Sequence, residues 1–343
     1  MRHLLNTLYV NTEDAWLSLD GENVVVKQKD QILGRYPLHI LEGIYLFSYA
    51  GASPALMGKC ASLGINLAFM TPRGRFLARV SGEGRGNVLL RRAQYRAADD
   101  LNESCHIAKN FIFGKVSNAR HVLERTRRDH ALRIDTVRFQ TVSEQLKGLL
   151  PRIMDETSLE ELRGLEGSAA ALYFSVMDDM ILQNKKDFSF HSRNRRPPQD
   201  NFNALLSFTY VLLGNDCASA LEMVGLDSYV GFMHRDRPGR TSLAQDLMEE
   251  LRPCMADRFV LTLINDRIIS GSDFQKQKNG AVLLKEAGRK KLLTEYQSRK
   301  QVSIVHPFLK EKMPWGLVPY VQSQMLARYI RGDLEAYPPF LWK

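Results

Sequence analysis

Three separated, mostly apolar segments carry the residues whose chemistry is most informative. Glu166 lies in LRGLEGSAA, His234 in GFMHRDRPGRTSLAQ, and Asp246 and Glu249 in DLMEELRP. Carboxylates combined with an imidazole form a ligand set suited to a divalent cation such as Mg²⁺ or Mn²⁺. In a basic chain, a metal site of this kind indicates phosphodiester chemistry on nucleic acid.

The acidic segment also fits a purely structural role. Asp246, Glu249 and Glu250 follow an i, i+3, i+4 spacing, so they share one face of a predicted helix. A cation against that face would turn the repulsion between the carboxylates into attraction. An exposed acidic face, softened by Arg252, explains the same spacing without a metal. The helix alone favours this second interpretation.

His234 and Glu166 shift the balance towards a metal site. A loop marked by Pro238-Gly239 separates His234 from Asp246, so the chain can bend back and return the imidazole to the acidic helix. Glu166 lies in an apolar predicted helix, where a buried carboxylate needs a partner. That partner is either a shared metal ion or Arg163, which lies one helical turn earlier.

The composition indicates a globular chain with a modest basic excess. It has 343 residues, 44% of them hydrophobic, and 47 Lys and Arg against 38 Asp and Glu, a formal charge of +9. A polyanion is the natural partner of such a surface. The cysteines, Cys60, Cys105, Cys217 and Cys254, form no CxxC pair, which argues against a zinc ribbon and predicts free thiols in a cytoplasmic protein. A continuous apolar run of about 20 residues is missing, so we predict no membrane span.

The segments that must position these residues divide the chain in two. Residues 1–80 show a strand rhythm, with a tight-turn signal at Asp20-Gly21 and one short helix at PALMGKCASLG. The glycine-rich stretch at 82–86 predicts a flexible joint, and helical spacing dominates from residue 87 onward. The sequence therefore predicts an α+β fold. An N-terminal antiparallel β-sandwich-like domain, 1–86, is followed by an all-α catalytic domain, 87–343.

Basic residues flank the candidate centre in two places. A weakly patterned stretch at 184–200 predicts a mobile basic loop, which either contacts DNA or is only a solvated surface loop. Three arginines directly after His234 suit phosphate contacts. The candidate DNA-binding residues are Lys185, Lys186, Arg193, Arg195, Arg196, Arg235, Arg237 and Arg240.

Taken together, in this order and spacing, these segments resemble the CRISPR-associated spacer-acquisition integrase, a family of metal-dependent DNA endonucleases. The resemblance runs along nearly the whole chain. It includes RGLEGSAAALYF, NALLSF at 203–208, GFMHRDRPGRTSLAQDLMEELRP and the tail QMLARYIRGDLEAYPPFLWK. The HRDRPGR loop and the tail are most similar to members from type I systems.

The resemblance implies roles for single residues. The family's Mg²⁺ or Mn²⁺ ligands fall on Glu166, His234 and Glu249, where many relatives have Asp at the last position. Asp246 matches a further acidic position, either beside the metal or on a second ion. Asn203 is expected to support the site. Tyr173 is either close to the site or a core aromatic.

The resemblance also implies assembly and function. The N-terminal domain is expected to form homodimers, two of which flank a dimer of a small second adaptation subunit in a heterohexamer. Its double-stranded DNA partners are the incoming fragment and the CRISPR repeat, and the reaction inserts the fragment by transesterification. Two alternatives stay open: a non-catalytic DNA-binding scaffold of the adaptation complex, and a hydrolase of small phosphates. The lack of a GxxxxGK[ST] phosphate loop disfavours the last.

Overall fold

The computed structural model of the chain describes residues 5–72, 74–80, 82 and 88–342. The chain divides into two compact units. The first comprises Met1–Arg85, Asp273–Gln275 and Leu283–Val302, and the second comprises the remaining residues of 86–343. A strand-rich N-terminal part and a helical C-terminal part confirm the predicted α+β class. The expected glycine joint lies outside the described residues, except for Gly82.

The first unit contains two four-stranded sheets, with strand orders β1-β5-β7-β8 and β4-β3-β2-β6. The turn predicted at Asp20-Gly21 joins β2 to β3, and Gly21 takes a φ of +58° there. The predicted helix is α1, Pro54–Leu63. The strands are β1 (Asn6–Val10), β2 (Ala15–Asp20), β3 (Asn23–Gln28), β4 (Gln31–Pro37), β5 (Leu41–Leu46), β6 (Gly51–Ala52), β7 (Asn66–Met70) and β8 (Phe76–Arg79).

The prediction of a mainly antiparallel domain is wrong for the first of these sheets. Strand β5 pairs in parallel with both β1 and β7, and only β8 runs antiparallel to its neighbour. Parallel pairing needs a long crossover. The hairpins β2 to β4 supply the crossover from β1 to β5, and α1 supplies the one from β5 to β7. Leu17, Val24 and Ile44 are among the fully buried residues of this unit's core.

The second unit is built from helices. A short strand pair, β11 (Ser303–Val305) with β12 (Lys312–Pro314), departs from the predicted all-α composition. Another pair, β9 (Phe274–Lys276) with β10 (Val282–Leu284), lies where the chain passes between the units. The helices are α2 (Val88–Asp99), α3 (Leu101–Asp129), α4 (Thr136–Asp155), α5 (Leu159–Ser175), α6 (Asn201–Met223), α7 (Ser242–Leu251), α8 (Arg258–Asn265) and α10 (Val318–Ile330).

A returning segment adds to the first unit. Helix α9, Glu286–Gln301, belongs to that unit although the sequence pattern places it in the helical part. Arg289 Nε donates to Asn11 Oδ1 at 2.8 Å, and Lys300 Nζ lies 3.1 Å from Glu42 Oε1. The expectation of one continuous unit from 87 to 343 is therefore not met, because these long-range polar contacts bind α9 to the strands.

Helix α6 is the apolar core helix of the second unit. Among the described residues, it alone has the length and hydropathy of a membrane-crossing helix, with a mean hydropathy of 1.3 and 72% of that stretch buried in the protein. Leu205, Leu213 and Leu221 on this helix are fully buried. The four cysteines form no disulfide bond, as predicted, and all four are buried.

A π-helical turn joins α7 to α8. It spans Arg252–Asp257 and contains Pro253. Proline has no N–H group, so it cannot close the normal α-helical bond to the carbonyl four residues earlier, on Glu249. The backbone widens instead, and the N–H of Arg258 bonds to the carbonyl of Pro253, five residues earlier.

The end of the chain is fastened to α3 and α7 by buried polar groups. Asn118 Nδ2 donates to the carbonyls of Glu250 and Phe340, each at 2.7 Å. The Glu250 carboxylate accepts from Tyr337 Oη at 2.6 Å and from the Phe340 N–H at 2.9 Å. Burial raises the pKa of Glu250 to about 7, although these hydrogen bonds oppose the rise. The tail is thus part of the packing that fixes α7.

Candidate metal centre

Helix α7 carries two acidic residues of the predicted site one turn apart. Asp246 is 0% and Glu249 4% exposed. This excludes the interpretation of α7 as an exposed acidic face. Leu243, Leu247 and Leu251 on the same helix are also fully buried. Because the carboxylate of Glu250 bonds to the chain's end, it does not share the environment of the other two.

Asp246 holds the segment that carries His234. Its oxygens accept the backbone N–H groups of Phe232 at 2.6 Å, Met233 at 3.0 Å and His234 at 2.9 Å. The Nδ1 atom of His234 lies 2.6 Å from the same carboxylate. A carboxylate is an acceptor, so Nδ1 carries the proton and Nε2 keeps its lone pair free for a ligand.

The bend before His234 needs a glycine. A Cβ atom on Gly231 would lie 2.8 Å from Asp246 Oδ2 and 2.9 Å from the His234 carbonyl oxygen. Both atoms belong to residues that the Asp246 hydrogen bonds hold together, so neither can move away without breaking those bonds. Gly231 therefore allows the backbone to come close enough for Asp246 to collect its donors.

Two side chains from other helices fasten this loop. Gln94 on α2 is fully buried and donates to the carbonyls of Asp227 and Val230, both at 2.8 Å. Arg163 on α5 donates to the carbonyl of Met233 at 2.9 Å. The structure therefore does not pair Arg163 with Glu166, because the Arg163 guanidinium bonds to a backbone carbonyl instead.

Glu166 is instead paired with Lys115 on α3. The ammonium of Lys115 bridges Glu166 to Glu249, whose Oε2 atom lies 2.7 Å away. Arg252 Nη1 lies 3.0 Å from Oε1 of Glu249, and His234 Nε2 lies 4.0 Å from that oxygen. Glu249 is thus the centre of the group: Lys115 joins it to Glu166, and Arg252 and the His234 imidazole lie at its other oxygen.

The charges of this centre stabilise each other. Burial opposes ionisation of Glu249, but Arg252 and Lys115 outweigh it and lower the pKa of Glu249 to about 2. For Lys115, burial lowers the pKa, and the attraction of Glu249 and Glu166 outweighs it, so the pKa is raised overall. At neutral pH both carboxylate and ammonium are charged, and each depends on the other.

The donor set fits a divalent cation. Two carboxylates and an imidazole can together bind a divalent ion such as Mn²⁺ or Mg²⁺, and the structure places them beside Lys115 and Arg252. In the described part of the chain, no three His, Cys, Asp or Glu side chains lie close enough to hold an ion as they stand. Lys115 lies between Glu166 and Glu249, and Arg252 bonds to the Glu249 oxygen that faces His234.

The predicted supporting residue Asn203 belongs to a network that reaches Glu249 through Arg193, Tyr210 and Arg252. Asn203 is buried and bonds to residues 192–200, donating to the Ser192 carbonyl at 2.9 Å and accepting from Arg193 Nη1 at 2.7 Å. Tyr210 lies between two guanidinium groups, Arg193 at 5.4 Å and Arg252 at 4.9 Å from its ring centre. Asn203 therefore supports the basic loop directly and the centre only through this stack.

Tyr173 is a core aromatic residue near Tyr210 of this network. Its ring packs against Phe174, with ring centres 5.5 Å apart, and only 4% of the residue is exposed. Burial, together with the nearby Asp257, raises the pKa of Tyr173 well above its usual value. Tyr173 thus stays a neutral hydroxyl beside the network.

The eight predicted DNA-binding residues divide into those that are open to DNA and those that are already bound to other groups of the protein. Arg195, Arg196, Arg235 and Arg237 are exposed. Arg240 is close to them: burial, and then the positive charges of Arg237, Arg195 and Arg196, lower its pKa. Lys186 is also exposed, but Lys185 pairs with Asp178 at 2.8 Å, and Arg193 is bound inside the network described above. Arg195, Arg196, Arg237 and Arg240 therefore lie near each other, and with Arg235, which follows His234 in the chain, they are here called the basic cluster.

The sequence interpretation missed Lys115 and Gln94. Lys115 follows the apolar run FIFG and lies four residues after Phe111, which is on the buried face of α3. A lysine at a core-facing helical position is a signal that could have been found. Gln94 gives a weaker signal, since a glutamine in an Arg-rich helix is ordinary.

Comparison with known proteins gives a consistent result along the whole chain. The family model described as CRISPR associated protein Cas1 matches residues 8–298. The CRISPR-associated endonuclease Cas1 2 of Rhodospirillum rubrum is 50% identical over 347 residues, covering 100% of both chains. The CRISPR-associated endonuclease Cas1 1 of Chlorobaculum tepidum is 47% identical over 343 residues, again covering 100% of both.

Solved structures share the fold. A casposase bound to integration product has a TM-score of 0.83 at 23% identity, covering 99% of this chain and 95% of that one. A CAS1 protein from Thermotoga maritima has a TM-score of 0.83 at 18% identity, covering 97% and 99%. A chain of a Cas6-RT-Cas1–Cas2 complex has a TM-score of 0.79 at 23% identity, covering 99% of this chain and 36% of that one.

Proposed function

We propose that this chain, which belongs to the CRISPR-associated protein Cas1 family, is a divalent-metal-dependent DNA endonuclease and integrase that inserts short DNA fragments into a CRISPR array. Endonuclease is the activity for which its curated relatives are named. The single observation that carries the proposal is the convergence of Glu166 and His234 on Glu249, the first through Lys115 and the second at 4.0 Å.

The reaction is an in-line displacement at phosphorus. A 3′-hydroxyl of the incoming DNA attacks the phosphorus of a repeat phosphodiester and loses its proton, while the P–O bond to the repeat strand breaks and the leaving oxygen becomes a hydroxyl; in nuclease mode water attacks instead. Glu166, Glu249 and Nε2 of His234 would hold the Mg²⁺ or Mn²⁺ ion, which supplies charge stabilisation to the phosphate oxygens. Asp246 orients the imidazole, and Arg252 holds Glu249 in place. Both are positioning roles.

The basic cluster would bind the DNA backbone next to this centre. Arginine suits phosphate because its planar guanidinium donates two parallel hydrogen bonds. The exposed positive charges of this cluster support an anionic partner. The proposed DNA contacts are Arg195, Arg196, Arg235, Arg237 and Arg240. Lys186 is a further surface candidate, whereas Lys185 and Arg193 would first have to leave their partners.

Assembly is proposed from the relatives. One similar chain is part of a Cas1–Cas2 complex and another is bound to an integration product. We therefore expect double-stranded DNA and a small second adaptation subunit as partners. We also expect homodimers formed through the first unit, within a heterohexamer in the cytoplasm.

Substitution of the proposed ligands tests the function. Glu166→Gln and His234→Ala each remove one ligand but leave the basic cluster unchanged. We expect Mn²⁺-dependent DNA cleavage to fall at least roughly a hundredfold, while DNA binding in a gel-shift assay is retained. Glu160→Gln, an exposed glutamate on the same helix α5, is the matched control and should cleave normally.

The rival function, a non-catalytic DNA-binding scaffold, makes a different prediction. It expects the unaltered chain to bind DNA but to cleave none in Mg²⁺ or Mn²⁺, and EDTA to change nothing. Unchanged turnover in both ligand variants would contradict the site assignment.

A further inference from the structure

Lys115 is built into the candidate metal centre. Its ammonium pairs with Glu166 and Glu249, and its side chain is 14% exposed against 5% for Glu249. Its neighbour Gly114 allows α3 to run close to α7, since a Cβ there would lie 2.8 Å from Cβ of Glu250. The position of the ammonium is thus set by helix packing and is not that of a mobile surface lysine.

The ammonium and a divalent ion would need the same oxygen atoms. Two like charges at such short range repel strongly where water provides little screening. Removing the ammonium without a replacement would also leave Glu166 without its positive partner and the buried Glu249 with Arg252 alone, at a cost in free energy. Exchange of the ammonium for the metal ion satisfies both conditions, because Glu166 and Glu249 are neutralised before and after.

We infer that Lys115 is an internal counter-ion that competes with the divalent ion for Glu166 and Glu249, so that metal binding displaces the ammonium. This inference rests on the proposed function and adds a residue that sets metal affinity. It also gives a reason for selectivity: a monovalent ion brings no more charge than the ammonium it would replace, whereas a divalent ion does.

Direct metal binding tests the inference without reference to catalysis. Free Mn²⁺ would be counted by electron paramagnetic resonance during titration of the whole chain at neutral pH. Lys115→Met removes the competitor, and we expect Mn²⁺ to bind roughly tenfold tighter. Lys115→Arg keeps the charge and should bind as the unaltered chain does. The matched control is Lys109→Met on the same helix, whose Nζ instead donates to the Met154 carbonyl at 2.9 Å.

A second readout separates competition from simple loss of structure. Without metal, Lys115→Met should melt at a lower temperature than the unaltered chain, because Glu166 loses its ammonium partner and Glu249 keeps only Arg252. Mn²⁺ should then raise its melting temperature more than that of the unaltered chain. Lys115→Gln, a neutral but polar replacement, provides the same comparison if the Met variant does not fold.

The outcomes distinguish this inference from the proposed function. Equal or weaker Mn²⁺ binding by the neutral variants, with normal binding by the unaltered chain, would overturn the role of Lys115 alone. An unaltered chain and variants that all fail to bind Mn²⁺ would overturn the metal centre itself and the inference with it.

Discussion

At the scale of single residues, Asp246 determines how the imidazole can be used. Its oxygens accept the three backbone N–H groups of residues 232–234 as well as the Nδ1 proton of His234. A carboxylate so fully engaged is poorly placed to bind a metal ion directly. Of the two roles that the sequence left open for Asp246, the geometry favours orientation of His234 over a place on a second ion.

Asp246→Asn tests this role. An amide has one acceptor oxygen, and its NH₂ group would face backbone donors that now meet a carboxylate. We expect a loss of about 2–4 kcal/mol in the free energy of unfolding and a roughly 10- to 100-fold loss of Mn²⁺-dependent cleavage. Denaturant unfolding and a cleavage assay measure the two. The exposed Asp236→Asn is the control, and equal behaviour of both variants would refute the role.

Residue types predicted part of this centre. The structure brings His234, Asp246 and Glu249 together, and it links Glu166 to them, but metal binding by these residues remains a prediction. Lys115 was missed because a cation in a ligand set is visible only once distant helices are placed side by side. Arg193 was assigned to DNA because composition cannot distinguish an exposed arginine from one stacked on Tyr210.

At the scale of elements, the π-helical turn after α7 decides where two buried charges lie. Arg252, at its start, reaches Glu249, and Asp257, at its end, accepts from Tyr210. Burial raises the pKa of Asp257 from 3.8 to about 6, although Tyr210 and the nearby arginines oppose the rise. The ionised carboxylate is therefore a cost to the folded chain at neutral pH.

A pH dependence follows with a defined sign. Between pH 3.8 and about 6 the folded chain keeps a proton on Asp257 that the unfolded chain releases, so stability falls as pH rises through this window. Asp257→Asn does not titrate and still accepts from Tyr210. Its stability relative to the unaltered chain should rise by about 3 kcal/mol between pH 3 and pH 7.

Denaturant unfolding across that pH range measures the effect. Asp266→Asn, an exposed aspartate at the end of α8, is the control and should run parallel to the unaltered chain. Parallel curves for Asp257→Asn as well would show that the carboxylate is not disfavoured by its surroundings.

Turns and helices were predictable where residues close in the sequence determine them. The Asp20-Gly21 turn and α1 follow from turn and capping residues, and α1 indeed begins at Pro54 after the capping Ser53. The parallel pairing of β1, β5 and β7 was missed, because the partner of a strand across a crossover is set by distant packing and not by its own pattern.

At the scale of the whole molecule, the chain leaves the first unit, builds most of the second and then returns. Lys300 on α9 is 5% exposed, and its ammonium is 3.1 Å from Glu42 in the first unit. Sequence periodicity gives α9 as a helix but cannot tell which unit it serves. The predicted domain boundary at residue 86 is therefore incomplete, because the first unit also includes Asp273–Gln275 and Leu283–Val302.

Lys300→Met tests how strongly α9 stabilises the first unit. Removing one partner of a buried ion pair leaves Glu42 without its ammonium, so we expect a loss of about 3 kcal/mol in the free energy of unfolding. Lys290→Met, an exposed lysine on the same helix, should change it by less than about 0.5 kcal/mol. Urea denaturation followed by circular dichroism compares them, and equal midpoints would contradict the assignment of α9 to this unit.

The late position of α9 has a consequence for biosynthesis. Domains of a nascent chain usually fold in the order in which they leave the ribosome. Here the strands are translated first, yet the helix that supplies Arg289 and Lys300 emerges only after α2 to α8. Until then Glu42 and the face of Phe47, over which Arg289 later lies at 5.9 Å, have no cover from α9. The first part to be synthesised is therefore among the last to be completed, and we expect chaperones to engage this chain during that interval.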